Sequence, residues 1–193
     1  MHDFIFYLQL GWEHIISWDA LDHQLFVLVL VAVYTYYDWR KILILVTAFT
    51  IGHSMTLALS VLDVFRLPAD WVEFLIPLTI LLTAADNMLM RHKQQSLMKL
   101  NFYLALIFGL IHGMGFANTA RLMIASEQDI FVPLLGFNIG LELGQVLVVS
   151  LILGIEFLLI KFFTIKKLHW MVFASAITLL ISLKLCLERF PFF

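Results

Sequence analysis

Long apolar runs alternate along the chain with short polar connections. Crossing the roughly 30 Å hydrocarbon core of a bilayer takes about 20 helical residues, and five runs are long enough to do so. These runs are residues 42–62, 71–90, 100–120, 130–163 and 168–187. The pattern predicts helices that span a membrane.

A sixth run, about 19–37, begins polar and ends in tyrosines and a tryptophan, which are typical of the membrane–water interface. Residues 1–17 are too short and too polar to span, so we expect a half-helix that lies against the bundle. The run 130–163 is longer than needed, so we expect tilt or a kink near Gly136, Gly140 or Gly144. The pattern therefore predicts an all-α, polytopic integral membrane helix bundle of about six spanning helices plus the N-terminal half-helix.

Composition agrees with this class. The chain is 62% hydrophobic and 13% charged, with a mean hydropathy of +0.96, whereas ordinary globular chains are about a quarter charged. We expect one transmembrane domain, residues 1–193, in contact with the lipid bilayer. A net charge of −2 is inconsistent with a nucleic-acid partner, and the single cysteine, Cys186, cannot form a thiolate metal cluster. Whether copies of the chain form a homo-oligomer is left open.

The basic residues predict the orientation. Eight of the twelve fall on one side of the expected topology and four on the other, and the positive-inside rule places the larger group in the cytoplasm. Both termini would then lie on the outer side of a bacterial inner or cell membrane. The larger group is Arg40, Lys41, Arg91, Lys93, Lys99, Lys161, Lys166 and Lys167; the smaller is Arg66, Arg121, Lys184 and Arg189.

Ionisable residues interrupt the apolar runs at similar depths. At 1.5 Å per residue, His53 lies about 14 Å from the outer end of its helix, His112 about 15 Å and Glu142 about 18 Å. Asp22 and His23 lie about 5 Å inside by the same rise, and His14 can fold in from the half-helix. Such groups are costly in hydrocarbon unless they face a partner, a cavity or an ion. Imidazoles and carboxylates that converge in one half of the membrane indicate a divalent transition-metal site.

Some of these residues also have simpler explanations. Asp19, Asp22 and His23 share one helix face. An N-cap explains Asp19 better than a role beside the metal does, whereas Asp22 and His23 lie beyond the cap. Thr50 and Ser54 beside His53 can bond back to their own helix. Glu73 and Asn87 form a weaker polar pair, and Glu73 is better explained as solvated.

A polar stripe lies along the long run 130–163. Asn138, Glu142 and Gln145 are spaced i, i+4 and i+7, so they share one face of an otherwise apolar helix. Asn and Gln often connect membrane helices by hydrogen bonds. A carboxylate at the position of Glu142 requires a cation or a proton. Four polar residues are candidates to support the metal ligands from outside the coordination shell: Asp19, Thr50, Asn138 and Gln145.

Five segments together resemble the HupE/UreJ family of membrane proteins, most closely its second branch. They are Gly11-x-x-His14, Asp22-His23-x-Leu25-Phe26, Thr47-x-Phe49-Thr50-x-x-His53-Ser54-x-Thr56, Phe108-Gly-Leu-Ile-His112-Gly-x-Gly-Phe116-Ala117 and Phe137-Asn138-x-Gly140-x-Glu142-x-Gly144-Gln145. The resemblance implies a nickel or cobalt permease of the kind associated with hydrogenase and urease accessory systems. It implies metal handling by His14, Asp22, His23, His53, His112 and Glu142.

Three functions fit the residues. A permease needs a route through both halves of the membrane, yet the inner half is almost wholly apolar, with Ser150 and Glu156 as exceptions. An inner route between the runs 71–90 and 100–120 has five candidate lining residues: Thr83, Asp86, Asn87, Asn101 and Tyr103.

The alternative is a zinc-type intramembrane hydrolase, in which Ser54 and Glu142 would be catalytic. The third is a metal-sensing or structural protein. Nickel, cobalt and zinc cannot be separated by affinity order alone.

Overall fold

The computed structural model describes residues 2–65, 67–89, 98–124 and 130–191, and all regular secondary structure in these ranges is helical. Within these ranges the seven α-helices are α1 His2–Ile16, α2 Leu21–Val31, α3 Trp39–Val61, α4 Ala69–Leu89, α5 Met98–Ile124, α6 Phe131–Phe163 and α7 Lys167–Glu188. Helices are favoured because a helix satisfies its own backbone hydrogen bonds inside lipid. The chain is an integral membrane protein of the all-α class, as the sequence predicts.

Five helices, α3 to α7, are long and apolar enough to cross a membrane. The sixth predicted span is not one helix. α2 has only 11 residues, and it follows α1 at a bend of 59°. The run 19–37 is therefore not one continuous helix. α1 and α2 together form either a span that is broken at this bend or a re-entrant pair.

The break between α1 and α2 has its own hydrogen bonds. Asp19 lies in a short 3-10 turn, Trp18–Ala20, that follows Ser17. The side-chain amide of Gln24 in α2 donates to the carbonyl oxygens of Ile15 at 3.1 Å and Ser17 at 2.9 Å. The Ile15 carbonyl lies in the last turn of α1, where the helix cannot supply a partner. The Ser17 carbonyl follows it and also accepts from the Ala20 N–H. Gln24 therefore stabilises the break from the opposite side.

Glycines let two pairs of helices approach closely. A Cβ on Gly136 would lie 2.8 Å from the Phe4 oxygen, and one on Gly140 would lie 2.8 Å from the carbonyl carbon of Leu8. Since both partners advance by four residues, α1 and α6 run parallel. Gly109 and Gly113 pack on Phe49 and His53 in the same way, which makes α3 and α5 parallel. α6 is a single element of 33 residues, and its glycines accommodate α1.

We expect Gly140→Ala to destabilise the protein by about 1–3 kcal/mol, because the new methyl group meets backbone that cannot move aside. The control is Gly154→Ala in the same helix, where a Cβ meets nothing within 4 Å. Alanine should stabilise that position by up to about 1 kcal/mol through helix propensity. Unfolding in mixed micelles measures both changes. Equal stability of the two variants would contradict the close α1–α6 packing.

Orientation in the membrane stays a prediction. Arg66, Arg91, Lys93 and the side chain of Arg121 lie outside the described residues. We call one end of the bundle the Arg189 end; there α3 ends, α4 begins and α7 ends. The other end, where α4 ends and α7 begins, is called the Lys167 end.

Candidate metal centre

Four helices each contribute one histidine to the interior of the bundle. His14 lies in the last turn of α1 and His23 in the first turn of α2, so two of the four flank the helix break. His53 comes from α3 and His112 from α5. The close α3–α5 packing at Gly109 and Gly113 brings the last two helices near enough for short side chains to meet.

The histidines form one cluster. One ligand atom each from His14, His23 and His53 can be chosen so that all three lie within 4.8 Å of one another. Ring centroids are 4.7 Å apart for His14–His23 and 5.9 Å apart for His14–His53. The ring of His112 lies 5.0 Å from that of His23. We call His14, His23, His53 and His112 the histidine cluster.

The ring nitrogens of the cluster are buried and largely unpaired. The Nε2 atoms of all four rings, and also Nδ1 of His53, are buried without a hydrogen-bond partner. His53 and His112 are 0% and 1% exposed. Burying polar atoms without partners costs free energy, so an arrangement of several such atoms aimed at one place indicates a ligand.

His112 has the hydrogen bond expected of a metal ligand. Its Nδ1 lies 2.8 Å from the Phe108 carbonyl oxygen one turn earlier. Because a carbonyl only accepts, Nδ1 carries the proton and the lone pair is on Nε2. A histidine that binds a metal typically holds its other nitrogen in this way.

Aromatic side chains enclose part of the cluster. The ring of Phe116 lies 4.4 Å from that of His14 and stacks at 4.9 Å on Phe137. Phe137 in turn faces His53, with centroids 6.1 Å apart. These walls keep water away from the imidazoles on that side.

Another side of the cluster opens into a polar cavity of about 460 Å³. Glu73 at the start of α4 and Arg189 just after α7 place this cavity at the Arg189 end. We call it the vestibule. It is lined by His14, Ser17, Asp19, Ala20, Asp22, His23, Glu73, Ile76, His112, Gly115, Phe116 and Arg189.

The predicted carboxylates are placed differently from the histidines. Asp22 accepts a hydrogen bond from Arg189 at 2.9 Å. Asp19 lines the vestibule, and the N-cap explanation of it is wrong, because Ser17 and Ala20 occupy the caps and neither forms a side-chain cap bond. Glu73, interpreted as merely solvated, is exposed but shares the vestibule lining.

The polar stripe of α6 faces α3. Glu142 accepts a hydrogen bond from the Thr47 hydroxyl at 2.6 Å, and Gln145 accepts one from Thr50 at 2.8 Å. The Asn138 side-chain oxygen is buried without a partner. Ser54 donates to the carbonyl oxygen of Thr50 in its own helix at 2.6 Å.

Three residues of this region were missed by the sequence reasoning. Arg189 was counted only as a basic residue, and its pairing with Asp22 spans 167 positions of sequence, so no local pattern signals it. Thr47 was noted only within a motif. Gln24 adjoins His23 on a short polar stretch, which is the one signal that could have suggested its role at the break.

The donor chemistry fits a divalent transition metal. Imidazole nitrogen is a ligand for nickel, cobalt and zinc alike, and nitrogens from three helices have free lone pairs in one place. No thiolate is available, because the one cysteine, Cys186, lies in α7 outside this group.

Fold and site together define a polytopic helical membrane protein with a buried histidine cluster beside the break between α1 and α2. The chain belongs to the HupE/UreJ family: the HupE / UreJ protein family profile matches residues 1–189. No curated protein and no solved structure matches it.

Proposed function

We propose that the protein is a membrane permease for a divalent transition metal, which it binds at the histidine cluster. The observation that carries this proposal is the convergence of ligand atoms from His14, His23 and His53, on three helices, within 4.8 Å of one another. Ionisable side chains in a membrane interior are costly, and they typically mark a functional site.

His14, His23 and His53 are the proposed primary ligands, and His112 is the fourth nitrogen donor. Asp22 and Glu142 supply negative charge that favours a cation, Asp22 from the vestibule and Glu142 from the side of α6. Asp19 would attract the ion at the vestibule. Thr50, Asn138 and Gln145 would hold the surrounding helices in register.

The broken span supports transport over permanent storage. Secondary transporters bind their substrates near the membrane midplane, at helices that are interrupted there. Here His14 and His23 lie on either side of the break between α1 and α2. A hinge movement at this break would change the distance between two ligands directly.

The two ends of the bundle differ in the way a transporter requires. The vestibule gives the cluster access to the Arg189 end. At the Lys167 end, Lys167 forms an ion pair with buried Glu156 at 2.6 Å and donates to the Tyr34 carbonyl oxygen. Asn101 donates to the Tyr34 hydroxyl at 2.7 Å. These contacts tie α5, α6, α7 and the connection between α2 and α3 together and close that end.

The metal is a borderline ion, and nickel or cobalt is the proposed cargo. The histidine set excludes metals that need soft sulfur ligands, and hard ions such as magnesium prefer oxygen. Family membership favours nickel and cobalt over zinc, since the HupE/UreJ family is associated with hydrogenase and urease accessory systems.

A zinc-type intramembrane hydrolase is the second candidate. The observation in its favour is that the vestibule adjoins the histidines, so three of them could hold zinc while water reached a fourth position from that side, as in catalytic zinc sites. Ser54 and Glu142 would serve that reaction, but in this structure the Ser54 hydroxyl is bonded to its own helix and Glu142 to Thr47.

Uptake into proteoliposomes tests the permease. Purified protein should carry external nickel or cobalt to an indicator trapped inside, and His23→Ala should reduce uptake to the level of protein-free liposomes, because a primary ligand is lost. His169→Ala is the control, since His169 is exposed at the start of α7. Metal-loaded protein that releases no metal into the lumen would exclude a permease.

A further inference from the structure

The structure contains a second polar feature that the histidine site does not use, between α4 and α7. These helices are antiparallel: Phe74 meets Phe190 with ring centroids 5.4 Å apart, and Asn87 meets Ser175 at 3.4 Å. Between the two contacts, the buried face of each helix carries hydroxyl groups. We call the set Thr79, Thr83 and Asn87 of α4 with Ser175, Thr178 and Ser182 of α7 the hydroxyl seam.

The α7 side of the seam is unusually polar for a membrane interior. From Ser175 to the end of α7, the buried residues are Ser175, Thr178, Ser182 and Cys186, with no aliphatic or aromatic side chain among them. Ser175, Thr178 and Ser182 are each 0% exposed. Small residues alone would be explained by close helix packing, so the pattern by itself assigns no role.

The hydrogen bonds of the seam separate it from simple packing. Thr79 and Thr83 donate to carbonyl oxygens of their own helix at 2.7 and 2.9 Å, the usual arrangement for hydroxyls in membrane helices. The hydroxyls of Thr178 and Ser182 are buried and form no hydrogen bond. Two unpaired hydroxyls on the buried face of one helix call for an explanation, and a polar occupant between α7 and α4 would satisfy both.

The hydroxyl seam lies between the vestibule and the Lys167 end of the bundle. Its first hydroxyl, Thr79, lies one turn beyond Ile76, which lines the vestibule. Its last side chain, Asn87, lies two residues before the end of α4 and also donates to the Val29 oxygen at 2.8 Å. Eight residues of helix cover about 12 Å. The hydroxyl seam thus runs from the part of the vestibule lined by Ile76 toward the Lys167 end.

The expected inner route between α4 and α5 is not formed. Asn87 faces α2 and α7, Asn101 is bonded to Tyr34 in the connection after α2, and Tyr103 is exposed. The physical reason is that α4 packs mainly on α7, so its polar side chains turn that way.

We propose that the hydroxyl seam is the route by which the divalent cation passes between the vestibule and the Lys167 end; this rests on the permease function. Conduction needs sites that solvate an ion without holding it tightly. Hydroxyl and amide oxygens are weak ligands for a borderline metal, whereas imidazoles are strong ones. The cluster therefore selects the ion and the seam lets it leave.

Two measurements test the route. First, Thr178→Cys and Ser182→Cys, each combined with Cys186→Ala to remove the native thiol, should react with a charged, water-soluble thiol reagent. Leu180→Cys in the same background is the control, because Leu180 lies on the same helix but is 65% exposed on its outer face, toward lipid. A seam that carries water and ions labels at 178 and 182 and not at 180.

Second, the double variant Thr178→Val with Ser182→Ala should lower the initial rate of nickel uptake by about tenfold, the loss expected for two solvating hydrogen bonds. Its metal content should be unchanged, because the cluster is intact. Thr178→Ser with Ser182→Thr, which keeps both hydroxyls, should retain uptake. Ser150→Ala should have no effect, since Ser150 is exposed and already bonded to Val146.

The outcomes separate the two proposals. Normal uptake by the hydroxyl-free variant, or absence of labelling at both seam positions, overturns the route while leaving the permease intact. Labelling of the seam in a wild-type protein that takes up no metal overturns the permease and, with it, the route as a metal pathway. Lost uptake in the hydroxyl-retaining variant would show that the seam matters only for packing.

Discussion

Replacing His53 with alanine is expected to remove most of the metal from the purified protein. His53 is fully buried, both of its ring nitrogens lack hydrogen-bond partners, and its ring lies beside those of His14 and His23. Without His53, one of the three imidazoles that chelate the ion is lost, so the remaining histidines bind the metal more weakly. Metal content by plasma emission spectrometry, on protein never exposed to chelator, measures the loss.

His169→Ala is the matched control for this experiment, because it removes an exposed imidazole at the start of α7 and should leave the metal content unchanged. The melting temperature of both variants shows whether His53→Ala still folds. Equal metal content in the two variants would mean that the histidine cluster does not hold the ion.

Glu142→Gln is expected to separate transport from hydrolysis. In a permease, the lost negative charge should weaken both binding and uptake by about 10–100-fold, the range found for groups that support metal ligands. In a hydrolase, the metal should stay bound while turnover is lost, because Glu142 would move protons instead of favouring the ion. Metal affinity and nickel uptake measured on the one variant distinguish these results.

Two further variants control for the change of charge and for the lost hydrogen bond. Glu188→Gln removes a carboxylate that is exposed at the end of α7 and should alter neither quantity. Thr47→Val removes the hydroxyl that donates to Glu142 while keeping the charge. If Glu142→Gln behaves like the wild type in both assays, Glu142 only connects α6 to α3.

The spanning helices could be predicted because bilayer thickness fixes their length. Each of the runs beginning at Ile42, Trp71, Leu100, Ile130 and Leu168 corresponds to one helix, α3 to α7. The break between α1 and α2 was harder to predict. Ser17, Trp18 and Asp19 form a turn with no glycine or proline, and the break depends on Gln24, whose partners Ile15 and Ser17 lie seven to nine residues away.

The grouping of the histidines could be expected because a bilayer penalises each one separately. Four such residues on different helices at similar depths have few ways to reduce that cost other than meeting. The glycine pairs that bring the helices together, such as Gly140 against Leu8, were visible as small residues but not as partners. The sequence could not show which helix each one faces.

The roles of the carboxylates depend on tertiary partners that sequence does not reveal. Asp22 and Glu142 were grouped with the histidines because they share their depth. The structure gives Asp22 a bond to Arg189 and Glu142 a bond to Thr47, 167 and 95 positions away in sequence. The seam was missed for a similar reason, since hydroxyl groups in α4 and α7 carry no charge that would single them out.

X-ray absorption spectroscopy of the metal in the purified wild-type protein tests the central claim most directly. The histidine cluster predicts a divalent transition metal surrounded by nitrogen and oxygen, with the outer-shell scattering of several imidazole rings and no sulfur. A protein that retains no such metal, or a metal whose spectrum lacks imidazole scattering, would contradict the account.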